Sequence, residues 1–212
     1  MIKRIIFDLD NTLINWLSNY ECYDAVLKRL DIDYDDEMIN KIGKSSYGYE
    51  SKHIVLTKKA YLRMINVECD LELPMEFVDY LLEEEGKKVP DKLPDEVHEI
   101  LEYLSKKYDL VILTNWYYES QIERLKRVKI DKYFTEVYAG NDEYLKPHEK
   151  SYLRACGEYK PEECIMIDDS EKNIEGALRT GLEAMLYNPN KKSKKNKTLK
   201  EIKRLYDLKN AL

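Results

Sequence analysis

The sequence predicts a doubly wound α/β fold, a parallel sheet with helices on both faces, carrying an all-helical insert. Three observations lead there. Short β-branched apolar runs recur along the chain. Helical periodicity fills most of the gaps between them. The gap between the first run and the second is far longer than the others and reads as helix throughout. With 212 residues, 43% of them hydrophobic, the chain can bury one sizeable core and a smaller insert.

The first run is RIIFDLD (4–10), and the others are DLVILTN (109–115), FTEVYAG (134–140), ECIMIDD (163–169) and EAMLYN (183–188). Unbroken apolar runs, rather than alternating ones, fit strands covered on both faces. Residues 95–107 place Val97, Ile100, Leu101 and Leu104 at helical spacing. Residues 117–128 do the same with Ile122, Leu125 and Val128, and 149–158 and 171–180 give two more helices. In the long gap, Tyr23, Leu27 and Leu30 form one stripe, Ile54, Tyr61 and Ile65 a second, and Phe77, Val78, Leu81 and Leu82 a third. Gly86 and Pro90 close that stretch. The expected division is a core of 1–15 and 91–212 with a helical insert at 16–90. After the last strand, Thr198 is placed to cap a final helix that turns Leu199, Ile202, Leu205 and Tyr206 to the core.

Bulk properties narrow the function. The net charge of -6 argues against a nucleic-acid binder. The lysine run Lys191, Lys192, Lys194, Lys195 and Lys197 has no interleaved aromatics and reads as a solvated loop. The four cysteines have no Cys-x-x-Cys spacing, so zinc is not expected. MIKRIIFDLD turns acidic too early for a signal peptide, and no run approaches a membrane span. The default is a soluble cytoplasmic monomer.

In an open α/β sheet, ligands bind beyond the carboxyl ends of the strands. The polar residues at those ends form a coherent set. The first strand delivers Asp8, Asp10 and Thr12, the second Thr114 and Asn115, and the fourth Asp168 and Asp169. Lys146-Pro147 opens the helix that precedes the fourth strand. Singly, each segment has an ordinary reading: an Asx turn, a turn, a helix start or a helix cap. Jointly, they suit phosphoryl chemistry. Hard oxygen donors suit Mg²⁺, and Asp8 and Asp169 are placed to hold it. Lys146 offsets phosphoryl charge, while the Thr114 hydroxyl and the Asn115 backbone amide can bond phosphoryl oxygens. Asp8 is a candidate carboxylate nucleophile forming an aspartyl phosphate. Asp10, on the same side of an extended chain, is a candidate acid and base.

These motifs make the chain resemble the haloacid dehalogenase-like hydrolase superfamily. Its first motif, Asp-x-Asp-x-Thr/Val after an apolar strand, is met by Asp8, Asp10 and Thr12, and its second by Thr114 at the end of VILTN. Its lysine is met by Lys146, and its acidic strand end by Asp168 and Asp169. The resemblance covers residues 1–15 and 91–190 and implies a helical cap at the insert. It further implies Asp8 as nucleophile and metal ligand, and Asp10 as acid/base with its carbonyl on the metal. Asp169 is then the principal further ligand, with Asp168 assisting. Many members carry another Asp four residues on, where this chain has Asn173. Asp10 favours a phosphatase of a small phosphorylated metabolite, because dehalogenating members lack an aspartate there. A phosphomutase is the first alternative, ahead of a dehalogenase or a non-enzymatic phospho-receiver domain. For substrate contacts, the cap loop KSSYGYESKH (44–53) offers Lys44, Tyr47, Tyr49, Lys52 and His53. Trp16, Tyr20, Trp116 and Tyr117 flank the motifs and are expected at the entrance. His98 and His148 are expected to be structural.

Overall fold

A computed structural model describes residues 1–141, 143–190 and 196–212, with only the backbone of Glu50 and Ser51. A six-stranded sheet, parallel throughout, runs in the order β3-β2-β1-β4-β5-β6. The strands are β1 (Arg4–Phe7), β2 (Asp109–Leu113), β3 (Glu136–Tyr138), β4 (Cys164–Asp168), β5 (Glu183–Tyr187) and β6 (Glu201–Ile202). Alternation along each strand sorts its side chains to two faces. Ile5, Phe7, Ile112, Ile165 and Ile167 meet Val97, Ile100, Leu101 and Leu104 of α6 (Asp95–Ser105) and Leu125 of α7 (Tyr118–Arg127). Ile6, Val111, Leu113 and Met166 face the other way, onto Tyr152 and Ala155 of α8 (Glu149–Cys156) and Ile174 and Ala177 of α9 (Glu171–Arg179). Covering both faces makes the strand residues fully apolar, which is why they read as unbroken runs.

Between β1 and α6 lie α1 (Tyr20–Arg29), α2 (Asp36–Tyr47), α3 (Tyr49–Lys52), α4 (Lys58–Cys69) and α5 (Glu76–Lys87). They share an apolar cluster of their own that includes Tyr23, Val26, Ile39, Ile42, Tyr61, Ile65, Phe77 and Leu81. Two starts are set by side-chain caps. Asp35 accepts a hydrogen bond from the Met38 amide at 2.8 Å, and Thr57 from the Ala60 amide at 3.0 Å. Ile54 does not join the stripe expected of it. It precedes α4 and is 62% exposed.

The chain end differs from the expected helix. Residues 201–202 instead extend the sheet as β6, with the Leu186 amide donating to the Lys200 carbonyl and the Asn188 amide to the Ile202 carbonyl, both at 2.9 Å. A bare β5 edge would leave such groups unpaired, and this pairing satisfies them. Thr198 caps no helix, since its hydroxyl donates to Asn196 Oδ1. A single 3₁₀ turn, Leu205–Asp207, precedes a short α10 (Leu208–Ala211). Leu199, Ile202 and Leu205 are buried as expected, while Tyr206 is exposed. Of the lysine run, Lys191, Lys192, Lys194 and Lys195 lie outside the described residues, and Lys197 is exposed. No helix among the described residues is long and apolar enough to cross a membrane.

Candidate active site

The strand order reverses its sense of growth at β1 and β4, and the crevice beyond their carboxyl ends is where an open sheet holds ligands. Phe7 is in register with Ile112 on one side and Ile167 on the other. The next residue on each strand is therefore Asp8, Leu113 and Asp168. Beyond Asp8 the strand ends, because the Leu13 and Ile14 amides both return to the Leu9 carbonyl at 3.0 Å. Asn11 takes φ 61°, a left-handed conformation that asparagine tolerates. This tight turn aims Asp8 and Asp10 at one rim, and the Thr12 hydroxyl donates to Asp8 Oδ2 at 3.1 Å.

Lys146 lies between the two strand-end carboxylates. Its Nζ donates to Asp8 Oδ1 at 2.6 Å and to Asp168 Oδ2 at 2.7 Å, and its side chain is 1% exposed. Burial opposes the ammonium, but Asp168 and Asp8 outweigh it and hold the lysine well above its ordinary value. Burial and Asp168 push the Asp8 carboxyl upward, with Lys146 as the opposing influence. The lysine is delivered by a loop pinned to β2. Asn115 Nδ2 donates to the Lys146 carbonyl at 3.0 Å, and the Lys146 amide donates back to Asn115 Oδ1 at 2.7 Å. The Asn115 side chain thus builds the site from behind.

Asp168 is wholly buried. Besides Lys146 it accepts from the Ser170 amide at 2.8 Å and from Asn173 Nδ2 at 3.1 Å on each oxygen. These four contacts, from three donor groups, match the roughly four lone-pair positions of a carboxylate. Asn173 therefore orients Asp168. Asp169, the next residue, is exposed, and one oxygen each from Asp8, Asp168 and Asp169 lie within 4.8 Å of one another. This all-oxygen cluster fits a hard cation such as Mg²⁺.

Two polar residues of α7 were not singled out by sequence reasoning. Arg124 Nη1 donates to Asp10 Oδ1 at 2.6 Å. Gln121 Nε2 donates to Asp10 Oδ2 and to Thr114 Oγ1, each at 2.8 Å. Glu85 is a third such residue, with Trp116 Nε1 at 2.6 Å and Asn19 Nδ2 at 2.5 Å donating to its two oxygens. Burial lifts its carboxyl to about 8. The signal available was the stripe itself. Gln121 and Arg124 share the face of Leu125 and Val128, and Glu85 that of Val78, Leu81 and Leu82. A polar residue in a buried stripe is the informative exception.

The site opens onto a cavity of about 960 Å³ between the sheet rim and helices α1, α2 and α5. Trp16, Tyr20, Lys44, Tyr47 and Trp116 line it, as do Asp8, Asp10, Thr114, Asn115, Lys146 and Asp169. Tyr47 is 86% exposed. His53 is not among the lining residues, because its ring stacks on Tyr49 at 4.3 Å. Tyr49 and Tyr117 are buried, and Lys52 pairs with Glu68 at 2.6 Å, so none of the three stands at the entrance. His148 caps α8, its Nδ1 accepting from the Lys150 amide at 3.2 Å, and His98 lies against the Tyr133 ring.

A family model described as haloacid dehalogenase-like hydrolase matches residues 5–187. The chain belongs to this family. Among its relatives, a phosphorylated carbohydrates phosphatase of Thermotoga maritima is 25% identical over 190 residues, spanning 86% of this chain and 83% of that protein. Pyrophosphatase PpaX of Bacillus mycoides is 29% identical, spanning 85% and 80%. The human N-acylneuraminate-9-phosphatase is 24% identical, spanning 88% and 82%. In structure, the haloacid dehalogenase-like YfnB of Bacillus subtilis, solved bound to magnesium, aligns with a TM-score of 0.71 at 19% identity, covering 100% of this chain and 98% of that one. A 2-haloacid dehalogenase of Pseudomonas syringae aligns at 0.72 with 21% identity, covering 99% and 97%. These two likenesses speak for the fold. This haloacid dehalogenase-like chain is a hydrolase of the phosphatase type.

Proposed function

We propose that the chain is a Mg²⁺-dependent phosphomonoesterase working through an aspartyl phosphate. The observation that carries this reading is Asp10. A second carboxylate stands beside the candidate nucleophile and is hydrogen-bonded, through Gln121, to the same network as Thr114. Ester hydrolysis needs such a group to manage protons. In the first half-reaction an Asp8 oxygen attacks phosphorus while the bond to the leaving oxygen breaks. Asp10 gives that oxygen its proton. In the second half, Asp10 takes a proton from the attacking water, and the P–O bond to Asp8 breaks. Lys146, the Thr114 hydroxyl and the Asn115 backbone amide are assigned to the phosphoryl oxygens throughout.

The ion would be held by Asp8, Asp169 and the Asp10 carbonyl, and when bound it supplies positive charge to the phosphoryl group. Asp168 is assigned an indirect role, because its lone pairs serve Lys146, Ser170 and Asn173. The helical segment 16–90 is read as the cap. It supplies Trp16, Tyr20, Lys44 and Tyr47 to a cavity large enough for a small phosphorylated metabolite. Relatives named for phosphorylated carbohydrates, pyrophosphate cleavage and N-acylneuraminate 9-phosphate support that substrate class.

The test uses released phosphate from 4-nitrophenyl phosphate. Asp8→Asn should abolish turnover, and wild-type-like turnover would sink the mechanism. Asp169→Ala should raise the Mg²⁺ concentration needed for half-maximal rate by tenfold or more. An unchanged metal response would remove Asp169 from the ligand set. A panel of phosphorylated sugars and sugar acids then identifies the substrate.

A further inference from the structure

We infer that Gln121 and Arg124 are positioning residues that set the orientation of the Asp10 carboxylate, and that Arg124 does so from a tether to the chain returning from helix α5. The inference rests on the assignment of Asp10 as acid and base. Gln121 is fully buried, and Arg124 is 6% exposed. Each binds one oxygen of Asp10, so neither torsion of that side chain is free. The two donors also hold each other, with Arg124 Nη1 donating to Gln121 Oε1 at 2.7 Å. A third contact runs from Arg124 Nε to the carbonyl of Lys88 at 3.3 Å, just past the end of α5.

Two features argue for a role beyond packing. First, the contacts use only about half of the lone pairs on Asp10, and its side chain is 27% exposed at the cavity. Asp10 lines the cavity, where a leaving oxygen or a water would stand. Second, Gln121 Nε2 bonds Asp10 and Thr114 together. One planar amide thereby fixes the acid/base relative to a group assigned to the phosphoryl oxygens. Proton transfer requires heavy atoms within hydrogen-bond reach, and a carboxylate free to rotate would lose that alignment. Arg124 suits the task because its planar guanidinium serves three acceptors at fixed angles.

The test compares 4-nitrophenyl phosphate with phenyl phosphate, which share a ring but differ in how much protonation the departing oxygen needs. The ratio of their kcat/KM values does not depend on how much of a preparation is folded. Arg124→Gln should raise the ratio of nitrophenyl to phenyl ester by about tenfold, part of the effect of a full general acid. The change should appear in kcat more than in KM. Arg124→Lys keeps a cation but cannot reach three acceptors at once, and should fall between. Asp10→Asn is the reference. If it leaves the ratio unchanged, Asp10 is not the acid and the underlying assignment fails. If Asp10→Asn shifts the ratio while Arg124→Gln lowers both rates equally, or while Arg124→Lys keeps the wild-type ratio, the positioning role is overturned. In an Asp10→Asn background, Arg124→Gln should shift the ratio no further.

Discussion

Glu85→Gln should change how stability responds to pH, and the size of the change follows from where Glu85 sits. Its side chain is 4% exposed at the cavity wall, and burial is the chief reason its carboxyl is lifted from 4.5 to about 8. Asp10 adds to the lift, while Trp116, Arg124 and Asn19 oppose it. A carboxyl raised in the folded state favours folding most fully below its unfolded pKa. Between 4.5 and about 8 the unfolded chain ionises and the folded chain stays neutral, so stability falls as pH rises. Each pH unit costs about 1.4 kcal/mol, or about 3 kcal/mol between roughly pH 5 and pH 7.5. Glutamine has no proton to lose and removes this slope. The assay is urea unfolding of both proteins at several pH values, in one buffer system without Mg²⁺. The stability difference, wild type minus variant, should fall by about 3 kcal/mol over that range. Parallel curves would show that Glu85 is ionised in the folded protein and would refute the reasoning.

Lys146→Met should leave Asp8 and Asp168 buried without their shared cation, costing about 3–5 kcal/mol by denaturant unfolding and abolishing turnover. A loss under about 1 kcal/mol would mean that the two carboxylates find other compensation. Gly176→Ala places a Cβ 2.7 Å from Pro147 Cβ, 2.8 Å from Tyr152 Oη and 3.0 Å from the Pro147 carbonyl. The Lys146–Pro147 loop must shift, so the variant should lose about 1–3 kcal/mol and show a raised KM. Unchanged melting and kinetics would show that the loop yields freely.

The sheet was legible because its residues are apolar whatever their partners. Ile5, Ile6 and Phe7 are fully buried on two opposite faces, and a run with no polar break says as much. The placement of Asp8, Thr114 and Asp169 along one cavity follows from their positions at strand ends, and Lys146 joins them on the loop that Asn115 holds. Gln121, Arg124 and Glu85 were harder to find, since Gln, Arg and Glu are ordinary on a solvated helix face. Their meaning depends on distant partners such as Trp116, 31 positions from Glu85, and Asp10, 114 positions from Arg124. His53 lies off the cavity lining for a local reason: a loop rich in polar residues does not say which of them turns inward, and this one stacks on Tyr49. The final segment failed because Leu199, Ile202 and Leu205 recur every three residues, which fits a helix. The decisive influence was the unpaired edge of β5, which no local pattern records.

The register of β1 against β4 acts as a ruler. Asp8 and Asp168 occupy equivalent rungs of one parallel ladder, so their separation is inherited from the spacing between neighbouring strands, about 4.8 Å. That length belongs to the backbone and is the same whatever side chains the strands carry. It is also a span that a single ammonium can bridge, as Lys146 does. Charge alone is therefore a poor guide to replacement at these rungs. A glutamate keeps the charge but carries its carboxylate one carbon past the mark, whereas an asparagine keeps the length and gives up the charge. The two errors are independent, and a variant enzyme that tolerates one of them reveals which quantity, distance or charge, the rung was there to supply.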